Sequence, residues 1–387
     1  MADGLYRGWL TPAFRAARDT LAAWMVEAGM TVRTDAATNL IGRYEGTGDG
    51  PPLIIASHLD SVRDAGFYDG PLGIMLGIEC VAALAAQARR LPFAIEVIAF
   101  GDEEGSRFPA AMLTSKALAG GLDAVPAMAD RDGVTLATAL AGFGSAPERL
   151  ASARHPGALA YLEAHIEQGP VLEADGMALG VVTGIAAQIR FSVVITGQAG
   201  HAGTSTMALR RDALTGAAEM VLAIERLAHE AGRDLVATVG RLEALPGAAN
   251  VIPGEVRFTI DVRSGDAARR NHAADAMRDA IAAIADRRGL DFSIERVHDL
   301  PAAPCDPRLI DLLETALVDA GHPARRLVSG AGHDAMVMAT LAPAAMLFIR
   351  CRGGISHNPA EHAEPADAEA ALAVMLGFIA KLGESGA

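Results

Sequence analysis

Lysine is nearly missing from this 387-residue chain: of its 33 Lys and Arg residues, only Lys116 and Lys381 are lysine. That argues against Schiff-base chemistry and leaves anion recognition to arginine forks. Aromatic residues are scarce at 4%, so the cores must be built from small and branched aliphatics. A basic excess is also absent. The formal charge of −14 argues against nucleic acid, whose recognition needs a surface that neutralises phosphates. Cys80, Cys305 and Cys351 are an odd, widely spaced set with no C-x-x-C, which fits a reducing compartment and no disulfide framework. The longest apolar stretch, Pro71 to Ala86, is interrupted by Glu79 and falls short of a membrane span. The opening "MADGLYRGWL" lacks the basic-then-apolar layout of a signal peptide, so a cytoplasmic protein is expected.

What is present is core material, 51% hydrophobic against 21% charged, at a length that favours two domains. "PPLIIASH" predicts a buried strand, Gly73 to Arg90 a helix, and "FAIEVIAFGDEEG" a second strand ending in an acidic loop. Strand, helix, strand at this spacing predicts a parallel α/β sheet, in which ligands gather beyond the carboxyl ends of the strands. Neither G-x-G-x-x-G nor G-x-x-x-x-G-K-[ST] follows the first strand, which argues against a nucleotide-binding fold. From Ile189 the rhythm changes to strand, helix, two strands, helix (Asp266 to Arg288) and strand, the ferredoxin-like order. The expected organisation is a doubly wound, mainly parallel α/β catalytic domain in two parts, 1–187 and 303–387. An α+β ferredoxin-like domain, 188–302, is inserted between them.

The loop "ASHLDSVRDAGFYDG" carries one His and three Asp directly behind an apolar run. Its bland reading is a solvated turn. Glu103 and Glu104 end a second strand, while His165 lies in "AHIEQGP" and His357 in "GGISHNPAE". Each alone is a weak signal. Together they form a mixed imidazole and carboxylate set, suited to Zn²⁺ or to Mn²⁺, Co²⁺ or Ni²⁺.

"SHLDSV…FYDG", "DEEGSRF", "HIEQGP", "GQAGHAGTSTM", "DVRSGD", "SGAGHDA" and "GISHNPAE" resemble, in order, the M20 metal-dependent amidohydrolases. The nearest branch is that of allantoate amidohydrolases and N-carbamoyl-L-amino-acid hydrolases. "EEGSRF" with "HIEQGP" is the part that separates this branch from the family's peptidases. The resemblance implies two divalent ions per subunit, Zn²⁺ first. His58, Asp69 and His165 would hold one; Asp69, Glu104 and His357 would hold the other. Two cations about 3.5–4 Å apart account for a bridging carboxylate. Asp60 would accept from His58 and fix its tautomer. Glu103, free of metal, would be the general base. His201 would polarise the scissile carbonyl in the active site of the partner subunit, through lid-to-lid dimerisation. Gln168, Asn250, Arg263 and His333 would line the substrate site, with Arg263 forking a carboxylate.

The expected protein is thus a cytoplasmic homodimer that cleaves a linear C–N amide of a small ureido carboxylate. Allantoate is the first candidate, an N-carbamoyl-L-amino acid the second, and an N-acyl-amino acid or dipeptide a more distant third. The rival from another class is a catalytically silent metal-binding module, which needs a lost ligand or base. No nucleic-acid or membrane partner is expected. Two departures from the family pattern stand out. "FIRCRGG" places Arg350 and Arg352 before the last ligand motif, a possible extra cation near the site. The segment before "LTPAFRAARDT" is short.

Overall fold

The computed structural model describes residues 4–232 and 234–384, so Met1–Asp3 of the opening stretch lie outside the described residues. The chain divides into two compact units. One comprises the chain up to Thr183, Cys305–Leu327 and the residues from Ala331 on; the other comprises Gly184–Pro304 with Val328–Gly330.

In the first unit Leu53–His58, Ile95–Phe100, Ala160–Ile166 and Ala344–Ile349 are strands buried along their whole length. Their burial is continuous rather than alternating because both faces of such a sheet are covered. The sheet runs in the order Thr31–Thr34, Leu40–Tyr44, Ile95–Phe100, Leu53–His58, Ala160–Ile166, Ala344–Ile349, Leu179–Ile185. Its four central strands pair in parallel. The strands beyond them on either side are antiparallel. The mainly parallel sheet is therefore a parallel centre with antiparallel flanks.

The helix Pro71–Ala86 packs on the three strands Leu53–His58, Ile95–Phe100 and Ala160–Ile166. Gly73 permits this approach: a Cβ there would collide with the Ala164 carbonyl and lie 2.9 Å from Ser57 Cβ. The helix stops four residues short of the expected Arg90, because Ala88 turns left-handed (φ 51°). Glu96, buried mid-strand, accepts from Arg43 at 3.0 Å and lies 3.1 Å from His155 Nε2. Although burial opposes ionisation, these two partners hold its carboxyl below the usual range.

The second unit follows the β-α-β-β-α-β order, with the first of the two strands between the helices broken in two. Its sheet runs Leu242–Leu245, Glu255–Ser264, Ala187–Thr196, Asp291–Leu300, with Leu235–Thr238 also paired to Glu255–Ser264. The stretch expected as one strand, "LVATVGRLEA", is thus two short strands on the same neighbour. Phe191, Val193 and Ile195 alternate inward and pack with Met220, Ile224, Met277 and Ile281 from the two helices. Those helices, Ala213–Ala231 and Ala267–Arg288, are capped by Asp212 and Asp266, whose carboxylates accept from the first free backbone N–H groups.

Candidate metal centre

The centre is assembled on loops at the carboxyl ends of the central strands. His58 closes its strand, Glu103 and Glu104 follow Phe100, and His165 is the penultimate residue of its own strand. Asp69 immediately precedes Gly70, the cap of the helix Pro71–Ala86. His357 lies in the loop after Ala344–Ile349. Asp102, Gln168 and His357 all have left-handed backbones (φ 61°, 57° and 54°). Such conformations are costly for residues with side chains and cluster where surrounding structure holds a functional group in place.

Asp69 Oδ1 lies 3.3 Å from His58 Nε2 and 3.2 Å from His165 Nε2, and the two Nε2 atoms are 3.3 Å apart. The other ring nitrogens face backbone carbonyls: His58 Nδ1 meets Asp60 O at 3.0 Å, and His165 Nδ1 meets Ile166 O at 2.9 Å. Carbonyls only accept, so Nδ1 carries a proton in both rings and Nε2 is the atom each ring turns toward Asp69. Three potential metal-ligating atoms converge on one point, and buried Asp69 Oδ1 makes no hydrogen bond. Such a cluster needs positive charge among its members, which a metal ion can supply.

A second set shares the same carboxylate. His357 Nε2 is 3.3 Å from Asp69 Oδ2 and 3.5 Å from Glu104 Oε2. The donors of Asp69, Glu104 and His357 lie within 4.8 Å of one another, as do those of His58, Asp69 and His165. The donor set is all imidazole and carboxylate, and it fits two divalent ions with Asp69 common to both.

The electrostatics show how strongly this cluster attracts positive charge. Burial disfavours a charged His58, yet Asp69, Glu103 and Asp60 raise it well above the ordinary imidazole value. Burial would raise Asp69, but His165, His357 and His58 hold it well below the carboxylate range. Glu103 is the opposite case. Burial, with Asp334, Glu104 and Asp60 nearby, pushes it well above the usual value against the pull of His58. Its donor lies within 4.8 Å of those of His58 and Glu104. A carboxyl with raised proton affinity beside the donors is suited to accepting a proton.

Other predicted residues differ in detail from their expected roles. His58 is oriented by the Asp60 carbonyl; the Asp60 carboxylate, 3.8 Å from Nδ1, instead accepts from the backbone N–H groups of Glu103 and Glu104. Asp60 thus shapes the turn that presents both glutamates. Gln168 donates to Asp69 Oδ2 at 2.9 Å, and its buried Oε1 has no partner. His333 is buried, with its ring edge-on to His165 at 4.5 Å; burial and His165 hold it well below the ordinary value, hence neutral. Arg350 makes a double ion pair with Asp367, and Arg352 pairs with Glu364. Both of the arginines that the sequence marked as extra cations are thus paired with carboxylates.

In the second unit His201 and Asn250 come together. His201 pairs with Val251 across a two-stranded ladder, and Asn250 O accepts from Ala202 N. Arg263 is held by Asp261 at 2.9 and 3.1 Å. It lines a groove of about 580 Å³ together with Arg190, which contacts the same aspartate.

Sequence reasoning did not single out Ser356 and Glu361, which flank His357 and contact the Asp69 segment. Their signal was available in "GISHNPAE", where a buried acid sits four residues after a ligand candidate. It also missed Asp102 and Asp334, buried carboxyls raised by burial, Asp334 to about 8.

The profile of peptidase family M20/M25/M40 matches residues 54–381. A probable allantoate deiminase of Oryza sativa is 40% identical, over 98% of this chain and 85% of its own length. An N-carbamoyl-L-amino acid amidohydrolase of Geobacillus stearothermophilus is also 40% identical, over 99% of this chain and 94% of its own. The crystal structure of a hydantoinase/carbamoylase family amidase from Burkholderia ambifaria superposes with a TM-score of 0.93 at 38% identity, covering 98% of this chain and 92% of that one. The chain belongs to peptidase family M20/M25/M40, in the branch populated by allantoate deiminases and N-carbamoyl-L-amino acid amidohydrolases.

Proposed function

We propose that the protein is a dinuclear metal-dependent amidohydrolase that removes the carbamoyl group of a small ureido carboxylate, allantoate first. It is a hydrolase of C–N bonds other than peptide bonds. The observation that carries the dinuclear reading is the convergence of His58 and His165 Nε2 on an unpartnered Asp69 oxygen, with a second donor set on the other oxygen. N-carbamoyl-L-amino acids are the second reading, supported by a relative of that name at the same identity.

When bound, the ions would polarise the scissile carbonyl and lower the pKa of the attacking water. Glu103 takes a proton from that water and passes it to the leaving nitrogen. Glu104, committed with His357 and Asp69, does not compete for this role. The unpartnered Gln168 Oε1 is an acceptor for a substrate N–H. Loss of the carbamoyl group yields carbamate, which breaks down to ammonia and carbon dioxide.

Arg263 is assigned to the substrate carboxylate, which would share or displace Asp261 on the guanidinium. Zn²⁺ is the first choice of metal, with Mn²⁺, Co²⁺ or Ni²⁺ compatible with the same donors. The test is a panel of allantoate, N-carbamoyl-L-amino acids, N-acyl-amino acids and dipeptides on metal-stripped and reconstituted enzyme. Turnover should vanish on stripping, return with the ion, and be highest on allantoate. Arg263→Ala should lower kcat/KM for carboxylate substrates by roughly 10–150-fold, the loss of one charged contact. Full activity of stripped enzyme would overturn the metal reading. Preference for N-acyl or peptide substrates would overturn the substrate class.

The protein is further proposed to be a cytoplasmic homodimer in which His201 serves the neighbouring subunit. Its three cysteines are buried and unpaired. Among the described residues no helix is long and apolar enough to cross a membrane. Mixing inactive His201→Ala and Glu103→Gln subunits should restore activity in hybrid dimers. No recovery despite demonstrated exchange would confine His201 to its own subunit or remove it from catalysis. Recovery of the protein outside the cytoplasm on cell fractionation would refute the location.

A further inference from the structure

Glu361 is 3% exposed, yet it is neither a donor in the metal set nor part of any ion pair among the described residues. Its oxygens face the Asp69 segment. Oε1 accepts from the backbone N–H of Tyr68 at 2.8 Å and of Asp69 at 3.0 Å. Oε2 lies 3.2 Å from Ser356 Oγ, and the same hydroxyl is 2.8 Å from Asp69 Oδ2. One carboxylate therefore grips the main chain of Asp69 and lies beside Ser356, whose one hydroxyl proton goes at the shorter contact to the Asp69 side chain.

The local sequence is folded to make this possible. His357 turns left-handed, Glu361 N donates to Asn358 O at 3.0 Å, and Ala360 N donates to Asn358 Oδ1 at 2.9 Å. This tight turn brings Ser356 and Glu361, five residues apart, onto one side of the loop. Opposite them, Gly66 leaves room: a Cβ there would overlap Glu361 Cβ and Oε1. The two loops so joined carry Asp69 and His357, donors from segments nearly 290 residues apart in the chain.

We propose that Glu361 is the positioning residue of the metal centre, fixing Asp69 so that Oδ1 faces His58 and His165 while Oδ2 faces His357. This rests on the dinuclear reading given above. Ser356 and Gln168 both donate to Oδ2, so turning the carboxylate plane breaks both contacts. Removing the Glu361 grip frees the Tyr68–Asp69 backbone and lets the His357 loop, with Ser356, separate from it. Partners that orient a ligand typically contribute about 10–100-fold to metal affinity.

The test is equilibrium dialysis of stripped protein against Mn²⁺ and against Zn²⁺, with bound metal measured directly and the melting midpoint of the metal-free protein taken in parallel. Wild type should bind two ions. Glu361→Ala should weaken at least one site by about 10–100-fold. Glu361→Gln keeps Oε1 and can donate to Ser356 Oγ, so it should bind nearly as wild type. Ser356→Ala, which leaves the backbone grip intact, should weaken binding by a smaller factor without moving the metal-free midpoint. That variant keeps the inference testable if Glu361→Ala fails to fold. Wild-type affinity in Glu361→Ala would overturn the inference alone, as would Glu361→Gln binding as weakly as Glu361→Ala, since charge rather than hydrogen bonding would then be at work. A wild type that takes up no ion would overturn the dinuclear reading, and the inference with it.

Discussion

Glu103→Gln is expected to lower kcat by roughly 10²–10⁴-fold while leaving the metal content unchanged. The substitution keeps the size of the side chain and the backbone N–H bond to Asp60, so the turn that presents Glu103 and Glu104 should persist. What it removes is a carboxylate able to take and return a proton. The surroundings raise the proton affinity of this group, through burial and through Asp334, Glu104 and Asp60. A base so placed holds its proton more firmly than a free glutamate, and delivery to the leaving nitrogen is the step such a group serves. Measured kcat near wild type in metal-replete Glu103→Gln protein would show that another residue is the base.

Asp69→Ala should abolish turnover by a different route. It removes both oxygens of the only carboxylate common to the two donor sets. The Nε2 atoms of His58 and His165 then face each other without the charge that compensates a cation, and of the acidic donors His357 keeps only Glu104. Bound metal should fall from two ions to at most one, with activity at background. The same protein should lose the rise in melting midpoint that added ion gives wild type, because that rise reports binding to the folded state. Two tightly held ions in Asp69→Ala would remove Asp69 from its bridging role.

Much of this centre was legible because its residues sit in loops at strand ends, where charge behind an apolar run is conspicuous. "LIIASH" followed by "LDSV", and "VIAF" followed by "GDEEG", give both the strands and the chemistry in one reading. The ferredoxin-like order was visible for a similar reason: period-two alternation at Ile189–Thr196 and Glu255–Ser264 contrasts with two long runs of helix-forming residues. The ligand sets and the role of each residue came from resemblance, since spacing along the chain does not say which of Glu103 and Glu104 turns toward a metal.

What the sequence concealed are the relations made by main-chain atoms. Asp60 was expected to orient His58 with its carboxylate, and instead does so with its carbonyl, a group present at every position and therefore silent in a sequence. The break in "LVATVGRLEA" depends on how each half registers against Glu255–Ser264. Arg350 and Arg352 looked like spare cations because their partners, Asp367 and Glu364, lie beyond the motif. Glu361 was hidden in plain sight: an acid in a polar loop reads as solvated until its backbone partners are seen.

The sheet order bears on how this protein is made. The strand Ala344–Ile349, near the end of the chain, lies between Ala160–Ile166 and Leu179–Ile185, both formed from much earlier sequence. During synthesis the slot between those two must wait until most of the polypeptide has left the ribosome, and contacts of such sequence separation form slowly. His357 follows that strand directly. A chain stopped before that strand therefore lacks one of the candidate donors, and completing the sheet would complete the candidate set as well.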